Sequence, residues 1–209
     1  MSSTTLRILV CMIVCAIVTG CKSTPEEKPT DSSQDVTVAE QTTTTEKVEE
    51  TPKPKAPECA PDDEMCRVEN MGPTAFGVID QGVTLQAILD AFGEPDKKDA
   101  RFTEEASGDV VETWYWTEKG ITIDFLAPDM TADVTTVRSF TLAAPYEVKG
   151  AKGVGIGSTK QEVLDVYSGV IEPRSEGEDM IIVGSIYGGM FFTLADDKVS
   201  TIFVGAGAE

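Results

Sequence analysis

Few groups in this chain could do chemistry. Cys59 and Cys66 enclose Ala-Pro-Asp-Asp-Glu-Met, a glycine run spans Gly153-Val154-Gly155-Ile156-Gly157-Ser158, and 36 Asp and Glu stand against 17 Lys and Arg. There is no histidine, which removes the usual general base, most zinc sites and the familiar Ser or Cys triads. The spacing of Cys59 and Cys66 is not the C-x-x-C of a redox pair, and two thiols behind an export leader read as one bridge closing a stapled turn. Asp62-Asp63-Glu64 at its tip lack the alternating oxygen ligands and central glycine of a calcium loop, so no metal is expected. The glycine run is spaced G-x-G-x-G, without the lysine of a phosphate-binding loop, and reads as a flexible lead into a helix. Asp196-Asp197 and Glu176-Gly177-Glu178-Asp179 read as turns; a hydrolase would need two acids brought together by the fold. No catalytic residue and no cofactor is expected.

The third chemical position is Cys21. Arg7 is followed by an unbroken apolar run, Ile8 to Val18, which ends at Thr19-Gly20-Cys21. Eleven apolar residues are about half of the roughly 20 that a spanning helix needs, and the positive start, apolar middle and small pair are those of a cleaved leader. With cysteine behind the small pair, the chain resembles a bacterial lipoprotein precursor. That resemblance implies cleavage between Gly20 and Cys21, a diacylglyceryl group on the Cys21 thiol and an acylated new amino terminus. It implies a protein tethered to the cell envelope by lipid, each buried methylene adding about 0.8 kcal/mol. Lys22-Ser23, with no Asp after the cysteine, favours the outer membrane.

The formal net charge is −19, and the leader takes away only Arg7. No basic stripe exists for phosphate recognition, so nucleic acid is not an expected partner. The same acidity opposes adhesion to anionic headgroups, leaving the acyl chains as the membrane contact.

Organisation follows from composition. After the leader (1–20), residues 21–57 hold the lipidated cysteine and a Thr/Glu/Pro/Lys-rich segment with no aromatic residue and the run Thr42 to Thr45. Such a segment reads as a disordered tether with a root-mean-square span of about 30 to 36 Å. An entrance segment (58–75) carries Cys59 and Cys66. Beyond it, Gly82-Val83-Thr84-Leu85-Gln86-Ala87-Ile88-Leu89-Asp90-Ala91-Phe92 aligns without gaps on Gly157-Ser158-Thr159-Lys160-Gln161-Glu162-Val163-Leu164-Asp165-Val166-Tyr167. This reads as a duplicated unit, 76–150 and 151–209. Thr84 and Thr159 are candidate helix caps, and Glu162 completes a capping box. Strands are expected over 110–117, 120–126 and 137–142, then over 180–186, 190–194 and 199–204, with turns at Gly120, Gly188-Gly189 and Asp196-Asp197. The expected class is α+β: two repeats of a short helix packed on an antiparallel three-strand meander, with the two sheets able to join edge to edge.

Gly82-x-Thr84 to Gly93-x-Pro95, Gly157-x-Thr159 to Tyr167 and the aromatic strand Trp114-Tyr115-Trp116 resemble two families over residues 76–204. One is the small outer-membrane lipoproteins of the SmpA/OmlA and BamE type; the other is the tandem-repeat β-lactamase-inhibitor-protein fold. The long tether and acidic entrance depart from the compact small lipoproteins. The resemblance implies a non-enzymatic module that binds another envelope protein, as an assembly adaptor, through its sheet face. Tyr115, Trp116, Tyr187 and Phe191 are the candidate anchors, against the alternative that the tryptophans fill the core beneath the first helix. The rival function is binding of a small ligand or an envelope glycan in a groove between the copies.

Overall fold

The computed structural model describes residues 58–175 and 179–207. The leader, Cys21, the tether through residue 57 and the turn Glu176-Gly177-Glu178 lie outside the described residues. Those described belong to one compact unit. It is α+β, with three helices and one antiparallel sheet of eight strands.

Helix α2 (Leu85–Phe92) starts where the sequence places it. Thr84 is extended and its hydroxyl accepts from the Ala87 N–H, and the chain stops at Gly93, whose N–H donates to Leu89 O. Helix α3 (Lys160–Tyr167) repeats this with a full capping box between Thr159 and Glu162. Gln86 donates to Asp90 in α2 and Gln161 to Asp165 in α3, each at 2.7 Å. On their own, helices of eight residues are marginal in water and need tertiary support.

The sheet provides it. Strands β1 (Lys97–Lys98), β2 (Phe102–Thr103), β3 (Val110–Trp116), β4 (Ile121–Ala127), β5 (Thr136–Ala143), β6 (Met180–Ser185), β7 (Gly188–Ala195) and β8 (Lys198–Gly205) run in the order β1-β3-β4-β5-β8-β7-β6, with β2 also on β3. The centre of the sheet is the β5–β8 ladder, where Phe140 faces Val204, Thr141 faces Phe203, Leu142 faces Ile202 and Ala143 faces Thr201. Each helix is pinned to its own meander's last strand. Gly82 N–H donates to Val137 O at 2.7 Å and Gly157 N–H to Val199 O at 2.8 Å; Leu85 N–H donates to Thr135 O and Lys160 N–H to Asp197 O, both at 2.8 Å.

Rungs that cross six strands set which side chains are buried. One rung reads Trp114, Ile123, Phe140, Val204, Met190, Val183; another reads Trp116, Ile121, Leu142, Ile202, Phe192, Ile181. These pack with Ile88 of α2 and with Val163 and Tyr167 of α3 in a single core. At one edge the Asp96 and Asp99 N–H groups donate to Tyr115 O and Thr113 O and extend the pairing of the exposed strand β1 with β3; the β6 edge is covered, Gly184 N–H donating to Val170 O and Glu172 N–H to Ile182 O.

Three local expectations need correction. Gly188-Gly189 is not the turn; it lies within β7, and the chain turns at Ile186-Tyr187, because Gly189 packs where a Cβ would run into the Val183 and Ser185 carbonyls. Lys97–Lys98 and Phe102–Thr103 are strands that no alternation announces. The entrance is more than a stapled turn: Cys59 and Cys66 are bridged with Cα atoms 5.7 Å apart, and a further helix, α1 (Glu64–Asn70), starts at Asp63, whose Oδ1 accepts from Cys66 N–H.

Helix α1 inserts Arg67 into the protein, leaving it 3% exposed. Its guanidinium donates to Gly184 O at 3.1 Å, to Pro61 O at 2.9 Å and to Glu172. Glu172 also accepts from Arg174 Nε at 2.9 Å. Burial alone would raise the Glu172 pKa, but the Arg174 hydrogen bond and the Arg67 charge outweigh it and hold the carboxyl below its ordinary value. A carboxyl depressed on folding contributes stability above its unfolded pKa, about 4.3, and loses it as pH falls through the folded value. The difference in unfolding free energy between the parent and Glu172→Gln should therefore be largest at neutral pH, on the order of 3 kcal/mol for breaking a buried pair, and should shrink below about pH 4.3. Urea titrations at a series of pH values measure it, and a pH-independent difference contradicts this assignment.

Candidate functional site

The two helices cover only one face of the sheet. Val111, Ile182 and Phe191 are buried yet stand outside the core cluster, as strand alternation requires of residues that point the other way. The rung between the two core rungs crosses this second face on seven strands: Lys97, Tyr115, Thr122, Thr141, Phe203, Phe191, Ile182. It is polar at the β1 end and apolar at the β6 end, and Tyr115, Thr122, Thr141 and Phe203 are half-buried.

Local contacts hold this surface in place. Lys97 Nζ sits 4.7 Å from the Tyr115 ring centroid and 2.6 Å from Asp99 Oδ1, while the Tyr115 hydroxyl donates to Asp99 Oδ2. The Lys97 hydrogen bond, then that of Tyr115, lowers the Asp99 pKa, and Asp99 in turn raises that of Tyr115. On the next rung Asp124 accepts from Thr113 Oγ1 at 2.6 Å and from Ser139 Oγ at 2.7 Å. At the apolar end Phe191 and Phe203 pack 5.4 Å apart, and Gly205 lies where a Cβ would strike the Phe203 ring.

The four sequence-derived anchors separate. Trp116 is 1% exposed, lies 6.4 Å from Phe92 and donates from Nε1 to Gly93 O at 3.0 Å, so it fills the core beneath α2 and offers nothing to a partner. This corrects its assignment as an anchor, and Trp114, on the same face, shares its fate. Tyr115 and Phe191 do share the second face and the same rung, four strand spacings or about 19 Å apart. Phe191 is 8% exposed, so its contribution there is mainly to support Phe203. Tyr187 stands away from the rung at the β6–β7 turn, 61% exposed. Thr122, Thr141, Phe203 and Asp124 were missed; alternation could have placed each on a face, but which strands lie side by side is not written in any one of them.

The glycine run holds no cradle for an anion. Gly153 N–H donates to Gly150 O, Gly155 N–H to Ser158 Oγ and Gly157 N–H to Val199 O. Asp196 and Asp197 form the β7–β8 turn with positive φ, 51° and 57°. Among the described residues no three of His, Cys, Asp and Glu are grouped as metal ligands, and no helix is long and apolar enough to cross a membrane. The chain is matched by no protein-family model, no curated protein and no solved structure.

Placement makes the two neighbours in sequence separable. Trp116→Ala should cost about 3–5 kcal/mol, and Tyr115→Ala about 1 kcal/mol or less. Denaturant unfolding of both variants checks this, and equal losses would place Tyr115 in the core too.

Proposed function

We propose that the protein is a lipid-anchored component of a bacterial cell envelope, attached through Cys21 and most consistent with the outer membrane, whose α+β domain works without catalysis as a protein-binding or assembly adaptor. The observation that carries the reading is the sheet face that α2 and α3 leave uncovered, with its Lys97-to-Ile182 rung. A half-buried surface that joins one cation–π pair, hydroxyls and a phenyl ring suits a protein partner: aromatic groups give contact area, and hydroxyls give hydrogen bonds. Anchoring rests on the leader and on Val18-Thr19-Gly20-Cys21.

The domain is further proposed to be a duplication. Besides the aligned helices, register breaks fall at Asp124/Phe125 in the first half and Thr193/Leu194 in the second, which are aligned positions when Gly120 is matched to Gly189. Val137 matches Val199 through the helix-pinning bonds, which makes Thr141 the equivalent of Phe203, and these two face one another. A twofold relation between the halves would pass through that pair. Since the second copy holds Phe191 and Phe203 where the first holds Thr122 and Thr141, the double variant Thr122→Phe/Thr141→Phe should keep the fold and stay within about 1 kcal/mol of the parent. Loss of the folded circular-dichroism spectrum would count against the equivalence.

One experiment in native membranes addresses anchoring and binding together. Cells fed an alkynyl fatty acid would express the full chain with a photo-crosslinking amino acid at Thr141, or at Gln161 on α3 as the control. Fatty-acid label that disappears in Cys21→Ser, with one dominant envelope protein crosslinked from position 141 and not from 161, is the expected result. Persistent label in Cys21→Ser refutes the anchor; no product above the control refutes the adaptor face.

A further inference from the structure

The two most exposed large apolar side chains among the described residues, Met65 at 67% and Tyr187 at 61%, are 122 positions apart in sequence yet line one groove. The groove runs between α1 and the β6–β7 turn, encloses about 510 Å³, and has Met65, Val68, Tyr187 and Gly188 along it. That size falls in the range of clefts that accept ligands, about 300–1,000 Å³. The fold brings these two exposed side chains from distant parts of the chain onto one groove, so they form a shared surface that a partner could cover.

Both walls are fixed. The Cys59–Cys66 bridge and the Asp63 cap hold the start of α1. Across the groove, the buried Ser185 hydroxyl donates to Glu64 and accepts from the Tyr187 N–H at 3.0 Å, tying the turn to the helix. A partner would therefore meet a formed surface and would not have to order it.

The rim has a sign. Asp62, Asp63 and Glu64 line the groove and no basic residue does. Two arginines lie nearby and both are engaged: Arg67 is buried on Glu172, Gly184 O and Pro61 O, and the Arg174 guanidinium is held on Glu172. An acyl chain could use the apolar floor, but its anionic headgroup would lie against these carboxylates. A bare cation would find oxygen only at the rim and gain nothing from Met65 or Tyr187. A Lys or Arg side chain uses both: its methylenes can lie on Met65 and Val68, its charge between the Tyr187 face and the carboxylates.

We propose that this groove is a docking site for a basic, apolar-flanked segment of a partner protein, distinct from the sheet-face rung and independent of it. The test uses the full chain labelled with 13C at the methionine methyls. The probe is the acetylated, amidated hexapeptide Lys-Leu-Gly-Arg-Val-Gly, and the control carries Glu in place of Lys and Arg. The expected result is a saturable shift of the Met65 methyl resonance with the basic peptide, while those of Met130 and Met190 stay in place, and a weaker affinity in higher salt. Asp62→Asn/Asp63→Asn keeps a capping side chain at position 63 and should weaken binding about 3- to 10-fold. Tyr187→Ala should weaken it about fivefold or more. The unmoved Met130 and Met190 resonances report that each variant is folded. A silent Met65 methyl, an equal response to the acidic peptide, or a response only to phosphatidylglycerol vesicles overturns the proposal.

Discussion

Everything in this domain depends on the register of the β5–β8 ladder. Four residue pairs join two meanders that are otherwise separate, and with Thr141 opposite Phe203 the flanking pairs Phe140–Val204 and Leu142–Ile202 both face the helices. A slip of one residue would turn each half's apolar rungs away from the other's and break the single core into two. The helices add to the same constraint. Each is bonded to β5 or β8 through the residues just before its first turn, so the central strands carry both the sheet junction and the seats of α2 and α3.

At the far side of the sheet, the entrance segment solves a different problem. Strand β6 would be an open edge, a template for unwanted pairing. Val170 to Glu172 pair with it, and α1 packs beside it with Arg67 reaching the Gly184 carbonyl and the Glu172 carboxylate. A seven-residue helix has little intrinsic stability, and here it is held by the bridge, by its Asp63 cap and by a buried guanidinium whose donors are used in three directions. A buried ion pair gives little net stability compared with an apolar replacement, but a lone member is costly, so it favours one docking position over others.

Much of this was legible before any coordinates. Gly-x-Thr followed by one-face apolar spacing located α2 and α3, because capping and amphipathicity are local. Runs of β-branched and aromatic residues located six strands for the same reason. What failed was set at a distance. The turn was expected at Gly188-Gly189, yet glycine is needed there because the paired strand's carbonyls come too close for a Cβ. Helix α1 carries charges at Glu64, Arg67 and Glu69 and is built around the buried arginine, so its periodicity gives no apolar stripe. Strands β1 and β2 have two residues each and are exposed, held in place by bonds to β3 and not by their own pattern. Trp116 was assigned outward and lies inward because both tryptophans share a face, and only α2 lying above decides which face is covered.

If the halves are copies, comparing them separates what the fold requires from what it leaves open. On the helix side the matched positions remain apolar: Ile121 with Met190, Ile123 with Phe192, Phe125 with Leu194, Val137 with Val199 and Leu142 with Val204. On the other side Thr122 is matched by Phe191, Asp124 by Thr193 and Thr141 by Phe203. Packing against helices restrains the first set, since a polar group buried there without a partner costs several kcal/mol, roughly 2–7 by transfer. Neither α2 nor α3 restrains the second set, and there the matched pairs differ in kind: Thr122 and Thr141 stand against phenyl rings, and the hydrogen-bonded Asp124 against a threonine. The freedom to differ is therefore on the face that α2 and α3 leave uncovered, which is why the proposed adaptor reading rests on that face and not on the helices.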